Sequence, residues 1–192
     1  MAWHDFMVAI ELLIAERPGW NKNADLLDLT APIQVFMNDK PLPDKYFKDG
    51  IEVNLFETSF EILDLLGNLE RVFMIKDKVP DTVYQAELCY TGNFMTVQAI
   101  DHDNVRVTVQ FNPATVDDEA LLAGSPEFQE QVPFTSIATE LLLFAISVHE
   151  ALVEFDPSFE TQLVDLHDAI LTHQERLEKE FSIVLPIVPG DK

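Results

Sequence analysis

Residues 83–112 have the sequence VYQAELCYTGNFMTVQAIDHDNVRVTVQFN, which is rich in β-branched and aromatic residues and is divided by two groups of turn formers. Three β-rich runs cover residues 83–90, 94–100 and 105–111. The loops between them have three residues (91–93) and four residues (101–104), lengths that are typical of β-hairpins. This stretch therefore predicts an antiparallel β-meander.

The segments before the meander have less uniform patterns. Apolar residues recur every three or four positions over residues 3–16, which predicts an amphipathic helix. Residues 24–37 fit a helical turn or a short strand, and turn formers make residues 38–50 a loop. Residues 51–55 alternate apolar and polar side chains, so they predict a short strand that is able to join the meander as a fourth strand. A helix follows from about residue 59.

The C-terminal part predicts two long helices. The first extends from about Pro133 to Glu154 and is apolar enough to be buried on two sides. Asp156 and Pro157 interrupt the pattern and suit the start of a second helix, which continues to about Phe181. A short break of this kind joins antiparallel neighbours. The acidic residues 114–132 predict a short helix and a loop.

Together these elements predict a single α+β domain over residues 1–192, in which a small antiparallel β-meander packs on helices. Residues 1–112 form its mixed α/β part, which includes the meander at 83–112, and residues 133–181 form a long antiparallel helical hairpin. The chain has 192 residues and is 47% hydrophobic, which is enough length and apolar surface for one core.

The charge of the chain is strongly negative and unevenly distributed. The net charge is −22, from 34 acidic and 12 basic residues, and this excludes binding to nucleic acids or anionic membranes through Lys and Arg. Between Arg106 and Arg176 there is no Lys or Arg, whereas the same window holds 13 Asp and Glu residues. Folded surfaces normally mix both signs. The window therefore predicts an anionic surface that keeps the protein soluble or attracts a basic partner.

Cysteine usage and the N-terminus predict a cytoplasmic protein. Cys89 is the one cysteine of the sequence and lies in an apolar run, where we expect a small buried hydrophobic residue. A single cysteine fits a reducing compartment. The first five residues lack the basic region of a secretory signal, and no apolar run approaches the roughly 18 residues of a membrane span.

Few residues have the pattern of a catalytic site. The nearest approach is His149 with Glu150 and Glu154, which would suit a small hydrolase-like enzyme and is kept as an alternative. His173 lies on the apolar face of the last helix and is expected to be packed and hydrogen-bonded.

Residues 101–103, Asp-His-Asp, predict a polar turn, with a pH-sensitive or partner-contacting spot as the alternative. The nucleophile elbow and phosphate-binding glycine motifs are absent from the sequence, so we expect a non-enzymatic protein without a cofactor or metal.

The acids of the base-free window are the candidate contacts for a basic protein partner. They are Asp117, Asp118, Glu119, Glu127, Glu130, Glu150 and Glu154. Apolar residues are interleaved with the first five of them, and apolar anchors among charges are typical of interfaces that combine steering with burial.

In size, acidity and coarse order of elements the chain resembles bacterial immunity proteins, which are small cytosolic proteins that bind a toxin domain. The resemblance implies an inhibitor that covers the basic site of a toxin, for example a nuclease, with carboxylates. In the same respects the chain is similar to the acidic chaperones of bacterial secretion systems. A structural or adaptor protein, including a homodimer formed through the helical hairpin, is a further alternative.

Overall fold

Two antiparallel sheets pack against three helices in the computed structural model of the chain, which describes residues 8–12, 20, 24–37, 40–41, 51–75, 82–88, 92–110, 112 and 127–185. The strands are β1 (Val8–Leu12), β2 (Thr30–Met37), β3 (Lys40–Pro41), β4 (Ile51–Asn54), β5 (Val83–Glu87), β6 (Phe94–Ala99), β7 (Asn104–Gln110) and β8 (Glu127–Pro133). The helices are α1 (Leu55–Met74), α2 (Phe134–Phe155) and α3 (Val164–Phe181), with 3-10 helices at Leu26–Asp28 and Pro157–Thr161. The predicted α+β class, with a β-meander and a C-terminal helical hairpin, is confirmed.

The meander sheet consists of β5, β6, β7 and β8 in that order, each antiparallel to the next. Its first three strands are the predicted ones. Its fourth strand corrects the prediction of a short helix and a loop over residues 114–132, because residues 127–133 pair with β7 along their whole length. Acidic composition favours a loop, but Val132 lies opposite Val105 and both are fully buried. Burial of one face of the strand outweighs the charge on it. Residues 113–126 and Cys89 lie outside the described residues.

The second sheet, here called the N-terminal sheet, has β2 at its centre. Ile33 lies opposite Leu12 of β1 on one side and opposite Ile51 of β4 on the other, while β3 pairs with the far end of β2. Two predictions are therefore wrong: residues 8–12 are a strand rather than part of a helix over 3–16, and β4 joins β2 rather than the meander. In residues 8–12, Val8, Ile10 and Leu12 alternate with Ala9 and Glu11. Five residues are therefore compatible with the helical period and with the strand period, and pairing with β2 makes them a strand.

A buried asparagine sets the start of α1. The side chain of Asn54 accepts a hydrogen bond of 2.9 Å from the N–H of Glu57, and it donates one of 2.6 Å to the carbonyl of Leu27 in the preceding 3-10 helix. An N-cap of this kind satisfies a backbone donor that the helix itself leaves free. The helix therefore begins at Leu55 and not near Ser59 as predicted, and Ser59 is buried inside it.

The most apolar helix, α2, lies at the centre of the core. It packs against α1, α3, β1 and β8, and Leu141, Leu142 and Ala145 are fully buried, which requires protein on more than one side of the helix. Among the described residues α2 is the one helix long and apolar enough to cross a membrane, but 67% of its most apolar window is buried inside the protein. Burial of this extent is typical of a helix in a protein core.

The two C-terminal helices are antiparallel, as predicted. Phe134 at the start of α2 contacts Phe181 at the end of α3, with ring centroids 4.9 Å apart. At the other end of the pair, His149 of α2 contacts His167 of α3, with ring centroids 5.2 Å apart. These two contacts fix both the direction and the register of the hairpin.

The connection of the hairpin differs from the prediction in one respect. Asp156 accepts a hydrogen bond from the N–H of Ser158 as an N-cap does, and Pro157 occupies the first position after it. However, the helix that follows this cap is a short 3-10 helix. It ends where the N–H groups of Gln162 and Leu163 both donate to the carbonyl of Phe159, and this shared acceptor separates it from α3. The predicted continuous helix over 157–181 is therefore two elements.

A buried charged cluster joins α3 to α1. Glu70 of α1 is completely buried, and its carboxylate accepts a hydrogen bond from Arg176 of α3 and lies 2.9 Å from Nδ1 of His173. A Cβ atom on Gly67 would lie 3.2 Å from Cε1 of His173, so the glycine allows the imidazole to approach α1 closely. The prediction that His173 is a packed, hydrogen-bonded histidine is confirmed.

Arg176→Met should lower the free energy of unfolding by about 3 kcal/mol, because it leaves the buried carboxylate of Glu70 with a single side-chain partner. The matched control is Lys179→Met, one turn further along α3. Its ammonium lies 3.7 Å from Glu180 and is exposed, and surface changes of this kind stay within about 0.5 kcal/mol. Urea denaturation of both variants measures the difference. Equal stability of the two variants would show that the cluster does not hold α3 on α1.

Candidate functional site

The structure places the predicted partner-contacting acids on two elements. Glu150 and Glu154 are exposed on the last turns of α2. Glu130 is half-buried in β8 opposite Val107, and Glu127 begins the same strand opposite Gln110. The remaining three, Asp117, Asp118 and Glu119, lie outside the described residues.

Folding of the hairpin adds acids to Glu150 and Glu154 that the sequence interpretation did not single out. Because α2 and α3 are antiparallel and joined by a short connection, the end of α2, the 3-10 helix and the start of α3 lie at one end of the hairpin. Exposed acids at this end, here called the hairpin-end acids, are Glu150, Glu154, Glu160, Asp165 and Asp168. All five belong to the window without Lys or Arg, so their combined field is anionic. Asp165 and Asp168, in the first turns of α3, also interact favourably with the positive end of its helix dipole.

An exposed apolar residue lies among the hairpin-end acids. Val164, the first residue of α3, has 51% of its surface exposed and is next to Asp165 in the chain. An exposed apolar side chain beside an acidic one suits the anchor of an interface that has a polar rim.

Two histidines face each other at the same end of the hairpin. The rings of His149 and His167 are tilted by 43° to each other, and both residues are half-buried. Burial lowers the pKa of His149 below its ordinary value, and the neighbouring His167 lowers it further, whereas the charge of Glu160 raises it. His149 is thus favoured as the neutral imidazole at neutral pH. No local sequence pattern indicates this pair, because its members are 18 positions apart and the hairpin register alone brings them together.

The described contacts do not bring His149, Glu150 and Glu154, the residues considered for an enzyme, together in one site. His149 faces His167 on the inner side of the hairpin, while Glu150 and Glu154 are exposed. Across the described ranges, no group of three or more His, Cys, Asp and Glu side chains is arranged to hold a metal ion. No observation on this part of the chain therefore favours the hydrolase-like alternative.

The turn between β6 and β7 is organised by one carboxylate. Oδ1 of Asp101 accepts hydrogen bonds of 2.8 Å from the N–H groups of Asp103 and Asn104, and the amide of Asn104 donates to the same carboxylate. The hydrogen bond from Asp103 and that from the Asn104 side chain lower the pKa of Asp101. His102 is exposed. The geometry is that of the polar turn predicted for residues 101–103, and its carboxylate serves the backbone.

No protein-family model, curated protein or solved structure matches the chain.

Asp101→Asn should reduce stability at neutral pH, since it removes the charge that the donors of this turn stabilise. The pKa of Asp101 is lower in the folded chain than its ordinary value of 3.8. The ionised form therefore stabilises the fold above that value, and this contribution is lost as the pH falls through the folded pKa. In thermal melts, the melting temperature of the wild type should exceed that of the variant at pH 7 and pH 5, and the difference should become smaller at pH 3. Asp103→Asn, an exposed change in the same turn, serves as the control; a gap that persists unchanged at pH 3 would contradict the assignment.

Proposed function

We propose that this chain is a non-enzymatic acidic binding protein of the bacterial cytoplasm that neutralises a basic partner, in the manner of an immunity protein that covers a toxin domain such as a nuclease. The observation that carries the proposal is the cluster of exposed hairpin-end acids within a sequence window that has no Lys or Arg. An acidic surface without neighbouring bases attracts cationic proteins and raises their association rates.

The rigidity of the hairpin supports binding by a preformed surface. α3 is held to α1 by the buried cluster of Glu70, His173 and Arg176 and to α2 by ring contacts at both ends. A surface that is already ordered loses little conformational entropy on association. The exposed Val164 supplies an apolar contact that would slow dissociation once the charges have brought the partners together.

The other functions considered from the sequence use the same surface or another face of the hairpin. An acidic secretion chaperone would also bind a basic segment, but it would hold an unfolded chain rather than a folded active site. A structural or adaptor protein would bind through apolar contacts with weaker dependence on salt. Light scattering would distinguish a homodimer from a monomer, and a toxin-like gene found beside this one would favour the inhibitor over the other functions.

Reversing the charge of Glu150, Glu160 and Asp168 to Lys should slow association with the partner by about tenfold or more at low ionic strength, because it removes electrostatic steering. The partner is first captured from a bacterial lysate at low salt with the wild-type chain and then purified, and association rates are measured by stopped-flow mixing over a series of salt concentrations. The rate for the wild type should fall as salt rises, since ions screen exposed charges.

The matched control reverses Asp28, Glu61 and Asp64, which are exposed acids outside the hairpin and give the same change in net charge. If both triple variants associate at equal rates, the hairpin end is not the docking surface. A third variant, with Asp117, Asp118 and Glu119 reversed, tests the other predicted acids. Capture of no basic protein at low salt would count against the proposed function as a whole.

A further inference from the structure

The facing histidines of the hairpin have the separation of two ligands of one metal ion. The ring centroids of His149 and His167 are 5.2 Å apart. Two imidazoles that bind one tetrahedral ion at metal–nitrogen distances of about 2.0–2.1 Å have ring centres roughly 5 Å apart. The two rings come from neighbouring antiparallel helices, and rotation about the side-chain torsions changes which ring nitrogen of each histidine lies toward the other ring.

We propose that His149 and His167 together form a binding site for a divalent transition-metal ion of the zinc, nickel and copper class, with water in the remaining coordination positions. Neutral imidazole is a preferred ligand for these ions, whereas magnesium and calcium prefer oxygen donors. The site goes beyond the proposed binding of a basic partner, because it needs no partner protein and uses side chains that face each other within the hairpin.

The surroundings of the pair favour a cation. Glu150 follows His149 in the chain, Asp168 follows His167, and the charge of Glu160 acts on His149. No Lys or Arg occurs between residues 106 and 176, so the sequence around the pair offers no competing positive charge. Both rings are half-buried, so an ion bound between them would be partly shielded from solvent.

A metal ion at this position would add a second polar link between α3 and the rest of the fold. The cluster around Glu70 holds α3 to α1 toward the C-terminal end of α3, whereas the ion would join α3 to α2 near the N-terminal end of α3. Binding to the folded chain raises its stability according to ligand concentration and affinity. The metal should therefore increase the melting temperature, and both histidines should be required for the increase.

The test is calorimetric titration of the full chain, without a histidine tag, with zinc chloride at neutral pH. We expect one ion per chain, and affinity weaker by about tenfold or more in both His149→Gln and His167→Gln, since each loses one of two protein ligands. His102→Gln, which changes an exposed histidine in the β6–β7 turn, should bind as the wild type does. Magnesium chloride should give no comparable heat, because magnesium prefers oxygen ligands to imidazole nitrogen.

A spectroscopic measurement on the wild type keeps the test independent of how the variants fold. Electron paramagnetic resonance of the copper(II)-loaded chain should show coupling to imidazole nitrogens, and this coupling should be reduced in either Gln variant. Zinc affinity that is unchanged in both Gln variants, or a copper spectrum with oxygen ligands alone, would overturn the proposal. So would an absence of zinc binding by the wild-type chain.

Discussion

The fold depends on the burial of α2. Its apolar residues do not lie on one stripe; Leu141, Phe144 and Ile146 point in different directions around the helix and are all buried. A helix of this kind is stable in water only if other elements cover it on several sides. The contacts of α2 with α1, α3, β1 and β8 meet that requirement, and they explain why strands from both sheets and two helices converge on it.

Polar contacts then fix how the covering elements are placed. Burying a carboxylate is costly unless it is paired, so Glu70 commits α3 to the position in which Arg176 and His173 reach it. Asn54 likewise ties α1 to the preceding 3-10 helix through one donated and one accepted hydrogen bond. Apolar packing is tolerant of small shifts, whereas these hydrogen bonds are directional, and they give α1 and α3 defined positions. The ring contacts at both ends of α2 and α3 then set the register of the hairpin.

The register in turn decides what the hairpin presents to solvent. With α3 antiparallel to α2, acids that are separated in the chain, such as Glu150 and Asp168, lie at one end, and His149 comes to face His167. The net charge of −22 opposes self-association at such a surface but favours a cationic protein or a metal ion. The proposed partner surface and the proposed metal site therefore share one anionic end of the hairpin.

The sequence by itself determined the elements whose pattern is long or locally complete: the three strands of residues 83–110, the apolar helix that begins after Pro133, and the break at Asp156. Short segments were decided by tertiary structure. Residues 8–12 and 127–133 become strands because they pair with β2 and β7. Neither a periodic pattern of five to seven residues nor an acidic composition indicates where a pairing strand lies. The candidate site divides in the same way. Charge counting identified the acidic window, but the pairing of His149 with His167 and of Glu70 with Arg176 required the packed helices, because contacts between residues distant in the chain arise from helix register and not from local sequence.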